Sequence, residues 1–576
     1  MNPRYVVRIL ALVLTAIGPG GCLGGGGDER NGESGGGNAS HPGEGGSRSG
    51  GAGGTSVGSG GISGGGGNSA KDGSVGGGSG SSVTGTSGKA GSGGAVAGGT
   101  TGSVRGTGGS TAGRGGAGGT LVVGMGGGNA GGSDGGAGGR EAGGGGTGSG
   151  GGGQVENDCE ITIKTKSLSS VIPTVGIVEW STDLANLTEA SIEFGLGPEY
   201  GMSAPVDLKE ANYRTLLLGM KAGGRTYHFR VVARAGDKVC MGQDETLPET
   251  GEPPNSLPQL TFTPATADGL DGGFLVFETL RQTFGTGVPD SPVYIIDGDG
   301  DFVWWYVNTG IIDVGRARQS YDGKYMWIAA VNVLSQQPRV IRVRMDGTDE
   351  KDFTNEFANL NHDFSVRSDE TIAFIAYGSN NCDDIKERSS DGTVTTIINS
   401  GTAVGASACH CNAINYDRND DTIVFSELDT SSIVKVSRDS KKVVWLMSSQ
   451  NSAKATITGL SWKNEHNFHI IDPSHLLFFN NNTGPNSAAI EAELSISGGK
   501  GTAKEVWSYV SNLTVQILGD VQRLENGNTL ITFSTAGEIR EVNPSGQVLQ
   551  TIKSVGSGNL FGFAEKRRSL YGPPPR

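Results

Sequence analysis

Val293-Tyr294-Ile295-Ile296-Asp297-Gly298-Asp299-Gly300-Asp301-Phe302-Val303-Trp304-Trp305 reads as an apolar strand, a turn of acids and glycines, and a second apolar strand. The same order returns around Val340 to Gly347, Asp384 to Gly392, Ile433 to Trp445, Ala489 to Gly499 and Ile539 to Gly546. The turns are spaced by roughly 45–60 residues, the length of one four-stranded propeller blade. Apolar runs precede four of them: Thr371 to Ile375, Thr422 to Ser426, His475 to Phe479 and Thr529 to Phe533. These runs are read here as the inner strands of their blades. Six units predict a six-bladed β-propeller over 258–576, with Leu260 to Leu280 and the C-terminus closing the ring. An array of β-sandwiches explains the long period poorly.

Upstream, short alternating strands are expected at Ile161–Lys166, Gly176–Ser181, Ala190–Phe194, Arg214–Gly219 and Thr226–Ala235. They predict a small β-sandwich over 155–252, so the fold class is all-β. Leu218-Gly219-Met220, followed by Thr226-Tyr227-His228-Phe229, resembles the corner of a fibronectin type III domain, where a tyrosine hydroxyl ties a strand to the preceding turn. Trp180 suits the core of such a sandwich, whose usual role is spacing or docking. Pro253, Pro254 and Pro258 mark the boundary after it.

The N-terminal quarter is of another kind. More than half of the chain's 103 glycines lie within 23–154, among almost no large apolar residues. Such a segment cannot bury enough surface to offset the entropy of ordering it, and is expected to be a disordered tether. Before it, Arg4 and Arg8 flank the apolar run Ile9 to Ile17, which is too short to span a bilayer. Gly18-Pro19-Gly20-Gly21-Cys22 resembles a bacterial lipobox, with Pro19 where a leucine is usual. Residues 1–22 are therefore expected to be a lipoprotein-type signal peptide, with Cys22 lipidated and the protein exported and anchored to the bacterial outer membrane or cell surface. The other reading is an ordinary signal peptide with an incidental cysteine. Outside the cytoplasm thiols tend to pair. Cys159 and Cys240, at the two ends of the sandwich, are expected to form a disulfide; Cys382, Cys409 and Cys411 allow one bridge and one free thiol.

The net charge of −14, with no basic stripe, argues against a nucleic-acid partner. The chemistry is sought among seven histidines. His362, His410 and His466 precede three successive apolar runs by similar distances, and equal register places them at one end of a central channel. Asn361-His362-Asp363-Phe364, His410-Cys411-Asn412 with Asp420-Asp421-Thr422-Ile423-Val424-Phe425, and Glu465-His466-Asn467 resemble the motifs of the bacterial arylsulfotransferase family. Gln522-Arg523-Leu524-Glu525-Asn526-Gly527 and Ser569-Leu570-Tyr571-Gly572-Pro573-Pro574 are similar to its closing segments.

The resemblance implies ping-pong transfer of a sulfuryl group from an aryl sulfate to a phenol, with small-molecule substrates and no cofactor or metal. His466 would be the nucleophile, carrying the group as a sulfohistidine. His362 and His410 would donate protons or hydrogen bonds, and Asn412 would add a neutral donor. The sequence departs from the family where an arginine is usual: Ser426-Glu427-Leu428-Asp429 holds none, and Glu427 would repel an anion if it faced the channel. His469 is the substitute considered for substrate binding. Two other readings stand beside catalysis. One is a surface propeller that binds a ligand or partner without turnover. The other, a metal site on His466 and His469, lacks a completing carboxylate motif, and a zinc site at Cys409-His410-Cys411 is opposed by strand alternation.

Overall fold

Each repeated turn leads out of the third strand of a blade in the computed structural model, which describes residues 159–574 apart from 266, 282–289, 312–313, 331–338, 379, 452, 482–483 and 556–558. Cys22, the signal peptide and the glycine-rich stretch lie outside the described residues. Six successive four-stranded antiparallel units form a six-bladed β-propeller, with blades 4 and 5 joined at their outer edges into one sheet by parallel pairing through Ile457–Thr458. The innermost strands are Val314–Gln319, Leu360–Val366, Cys411–Asp417, Glu465–Asp472 and Asp520–Arg523 in blades 2 to 6. In blade 1 that place is taken by Asn559–Arg567, from the C-terminal end of the chain. Gln259–Thr263, from the other end of the propeller segment, adds the outermost strand of blade 6. Both ends therefore close the ring.

One expectation is corrected here. The apolar runs Ile372–Tyr377, Thr422–Glu427, His475–Asn480 and Thr529–Phe533 are the second strands of their blades, not the inner ones. The reason is burial. A second strand is covered by neighbouring blades on both faces and reads as a continuous apolar run. An innermost strand turns alternate residues into the channel, so Asn361, Asp363, Asn415 and Asn467 interrupt its pattern.

Residues before the propeller form two facing sheets. Trp180, Phe194, Tyr227 and Phe229 fill the space between them. The Tyr227 hydroxyl accepts the Lys221 N–H at 2.8 Å, the corner bond anticipated from sequence. Cys159 and Cys240 are bridged, as expected.

This sandwich is docked on one end of the propeller. Ile172, Val175 and Leu218 share a core with residues of blades 1 and 2. Arg214 pairs with Asp346 at 2.6 Å, and Lys324 with Asp207 at 2.5 Å. The Lys221 ammonium lies 2.9, 2.5 and 2.9 Å from Asp297, Asp299 and Asp301. Those three carboxylates have metal-ligand spacing, but the lysine already fills the space between them. Tyr571, past the closing strand, donates its hydroxyl to the Leu216 carbonyl at 3.1 Å. The inner strand of blade 2 runs towards this sandwich side, because Lys324 lies just past its last residue, Gln319. The histidines near the starts of other inner strands thus face the opposite end.

Candidate active site

The inner strands share a local device that projects the histidines. In blade 3, Asp363 accepts the Phe364 N–H at 2.8 Å with one oxygen and the Ile414 N–H of blade 4 at 3.1 Å with the other. In blade 5, Asn467 accepts the Phe468 N–H at 2.9 Å. In blade 6, Asp520 accepts the Val521 N–H at 2.8 Å and the Ala564 N–H of blade 1 at 3.2 Å. Each side chain takes a backbone donor out of the regular ladder, and the pairing register slips at Leu360/Phe364 and Glu465/Phe468. Such bulges re-aim side chains. The residue just before the staple is His362 in one blade and His466 in another, and His362 takes a left-handed φ of 59°.

His362 and His410 meet directly, with their Nε2 atoms 3.1 Å apart and ring planes at 88°. The hydrogen-bond network assigns the protons. Asn361 directs its amide nitrogen to Asp383 at 3.4 Å, so its oxygen accepts from His362 Nδ1 at 2.5 Å. His362 Nε2 therefore holds a lone pair, and His410 Nε2–H donates to it. Burial holds the pKa of His362 well below its ordinary value, and the charges of His410 and His466 push the same way. Asp383 braces both partners, since it also accepts the Cys411 N–H at 2.7 Å. Burial raises Asp383 to about 7.

His466 is 3 % exposed and equally well defined. Asn481 donates its amide to the carbonyls of Val515 and Leu518, each at 2.8 Å. Its oxygen must then accept from His466 Nδ1, at 2.8 Å. The lone pair is left on Nε2, where the backbone N–H of Leu518 donates to it at 2.9 Å. Burial lowers the pKa of His466 to about 3, with His410 adding to the shift, so the ring is neutral over the physiological range.

The remaining expected residues fall in different places. Asn412 is fully buried and donates to the Glu465 carbonyl at 2.9 Å, which ties blade 4 to the residue before His466; its oxygen has no hydrogen-bond partner among the described residues. His469 does not join the three histidines. It lies three residues further along the strand, in the wall of the sandwich-side cavity, and accepts the Arg523 N–H at 2.9 Å. A joint metal site with His466 is therefore not assembled. Glu427 does not repel from the channel: it is buried and accepts the N–H groups of His410, Asp429 and Thr430 at 2.9, 3.0 and 2.9 Å. It holds the His410 loop. Cys382 and Cys409 are bridged beside it, and Cys411 is the free, buried thiol.

Sequence reading missed Asn361, Asn481, Asp383 and the Leu518 N–H. The only local signal was the asparagine at each site: Asn361 adjoins His362, and Asn481 directly follows the second strand of blade 5, His475–Asn480.

Residues 398–566 match the family model described as Arylsulfotransferase (ASST). The matched segment holds His410, Asn412, His466, Asn481 and Leu518, while His362 lies upstream of it. No curated protein is similar enough to this chain to count as a relative. Among solved structures, the chain is similar to a nidogen/laminin complex at 10 % identity and a TM-score of 0.35, over 51 % of this chain and 97 % of that one. TolB from Acinetobacter baumannii matches at 12 % identity and a TM-score of 0.34, over 60 % of this chain and 81 % of that one. A Swd1 β-propeller domain from Myceliophteria thermophila matches at 9 % identity and 0.31, over 48 % and 89 %.

Proposed function

We propose that the histidine end of the channel transfers a sulfuryl group from an aryl sulfate to a phenol. The observation that carries this reading is His466, buried and neutral, with its Nδ1–H fixed by Asn481 and its lone pair on Nε2. The arylsulfotransferase match over the same residues supports the substrate class. In the first half-reaction Nε2 attacks sulfur, the bond from sulfur to the aryl oxygen breaks, and the phenolate leaves and takes up a proton. In the second, an acceptor phenol oxygen attacks sulfur and gives up its proton, the S–N bond breaks, and neutral His466 returns. Asn481 accepts from Nδ1 throughout and steadies the positive ring of the intermediate. The His362–His410 pair supplies the phenolic proton with His410 entering as the imidazolium: its Nε2–H passes to the departing phenolate oxygen, the ring is left neutral with its Nδ1–H, and the proton given up by the acceptor phenol restores it.

Incubation with 4-nitrophenyl sulfate and phenol tests this directly. Release of nitrophenolate matched by phenyl sulfate is the expected result, and a folded protein that yields neither sinks the reading. The alternative, a propeller that binds without turnover, has one observation in its favour. The Leu518 N–H sits on the lone pair that must attack, so the backbone between Val515 and Gly519 has to shift before sulfur can approach. Leu518 and Gly519 have φ of 62° and 117°. A left-handed leucine is strained, which favours a second conformation of this turn.

The same proposal places the protein outside the cytoplasm, lipidated at Cys22 and held off the membrane by residues 23–154. The support is the charged and apolar leader that runs into Cys22. A fatty-acid label that is present in the wild type and lost in Cys22→Ala is expected, and an unlabelled wild type overturns the anchor. The sandwich is read as a fibronectin type III-like docking module, on the strength of the Tyr227 corner bond and the Trp180 core.

A further inference from the structure

We propose that residues 515–519 form a strap that shuts over the lone pair of His466 when no aryl sulfate is present, and that it opens by rotation of the Ile517–Leu518 peptide. What the lone pair does rests on the sulfuryl-transfer reading; whether the strap moves does not. In the closed form the Leu518 N–H donates to His466 Nε2 at 2.9 Å, and the ring is buried. The other ring nitrogen, Nδ1, donates to the Asn481 oxygen at 2.8 Å. Both nitrogens are engaged, so an electrophile finds no free lone pair on the ring.

Hydrogen bonds divide the strap into fixed ends and a loose middle. At one end the Val515 N–H donates to the Ser487 hydroxyl at 2.8 Å, and the Val515 carbonyl accepts from the Asn481 amide at 2.8 Å. At the other end the Leu518 carbonyl accepts from the same amide at 2.8 Å, and the Gly519 carbonyl accepts the Asn467 N–H at 3.3 Å. The Leu518 side chain is buried against Leu280 and Phe563. Between these ends, among the described residues, no hydrogen bond involves Gln516 or Ile517. His466 Nε2 is therefore what holds the peptide unit that joins Ile517 to Leu518.

Closure strains one residue. Leu518 has a φ of 62°, in the left-handed region where the Cβ of an L-residue crowds its own backbone. Rotation of that φ into the negative region, with ψ of Ile517 compensating, relieves the crowding and carries the N–H off Nε2. The Leu518 carbonyl and side chain can keep their partners meanwhile, because they lie on the far side of the rotated bond. A nucleophile that is uncovered for part of the time reacts at its intrinsic rate multiplied by that fraction. The handedness that residue 518 tolerates thus sets the rate of attack. An arriving sulfuryl group favours the open form, since its sulfur needs the position in front of Nε2 that the N–H holds.

Carbethoxylation of His466 by diethyl pyrocarbonate, read by peptide mapping of the full chain without aryl sulfate, measures the uncovered lone pair directly. Leu518→Gly and Leu518→Ala both lose the side chain beyond Cβ, and they differ in the cost of a positive φ, which glycine escapes. Modification of His466 is expected to be roughly fivefold or more faster in Leu518→Ala than in Leu518→Gly. The first burst of nitrophenolate from 4-nitrophenyl sulfate should follow the same order. Equal modification of the two variants, or faster modification of Leu518→Gly, overturns the strap. The expected order of modification without any burst keeps the strap and removes the transfer reading; a burst without that order removes the strap alone. Should either variant fail to fold by circular dichroism, Leu518→Pro removes the donor and fixes φ in the negative region. It is expected to be modified faster than the wild type, and no gain overturns the proposal.

Discussion

Quenched after mixing with an aryl sulfate and no acceptor, the wild-type protein is expected to carry a sulfuryl group on the peptide that contains His466, and His466→Ala is expected to carry none. The argument begins with the ring nitrogens. Asn481 spends both amide hydrogens on the carbonyls of Val515 and Leu518, so its oxygen can only accept, and Nδ1 must keep its proton. The nucleophilic lone pair is thereby fixed on Nε2 without a charged partner. Removing a nucleophile typically costs on the order of 10⁶ in kcat, so turnover by His466→Ala should vanish into background. The pH profile gives an independent check. With its pKa lowered to about 3, His466 is unprotonated above that value, so its lone pair is available throughout the range from pH 5 to 8. The nucleophile is lost only as pH falls towards 3, and no inflection near the ordinary histidine value should arise from it. An adduct on another residue, or a His466→Ala protein that turns over normally, removes His466 from the mechanism.

Legibility in the sequence followed the physics of each layer. The blade count was readable because every turn after a third strand needs flexible or acidic residues at fixed intervals, as in Asp297-Gly298-Asp299-Gly300-Asp301. The matched positions of His362, His410 and His466 were readable for the same reason, since equal spacing from a repeated strand means equal height in a ring. Which strand faces the channel was misread, because burial on two faces makes the second strand the more apolar one. Glu427 could not be placed from sequence. A carboxylate beside an active-site motif reads as a charge aimed at substrate, and only the backbone path shows it turned inward to hold the His410 loop. The partners of the histidines were hidden too, because Asn481 and the Leu518 N–H come from turns 15 and 52 residues away from His466. Pairing of Cys382 with Cys409 likewise depends on how the end of blade 3 returns to blade 4, which no spacing rule supplies.

Replacing either His362 or His410 is expected to slow transfer by roughly 10²–10⁴-fold, the range typical of lost acid–base help, while leaving the His466 adduct detectable. The size of the effect should depend on the leaving group. His410 Nε2–H points at the lone pair of His362 across 3.1 Å, and Asn361 fixes the far side of His362 at 2.5 Å. With His410 entering as the imidazolium, its Nε2 proton passes to the departing phenolate and leaves a neutral ring, and a proton returns to the pair when the acceptor phenol is deprotonated. The nitrophenolate ion leaves readily without a proton, whereas plain phenolate does not. Variants at His362 or His410 should therefore lose much more activity with phenyl sulfate than with 4-nitrophenyl sulfate. Asn361→Ala should reproduce part of that selective loss, because it frees the His362 tautomer without removing a ring. Equal slowing of both substrates would assign the pair to holding the sulfuryl oxygens instead of moving the phenolic proton. Unchanged rates for both would leave the contact between the two rings with no part in the chemistry.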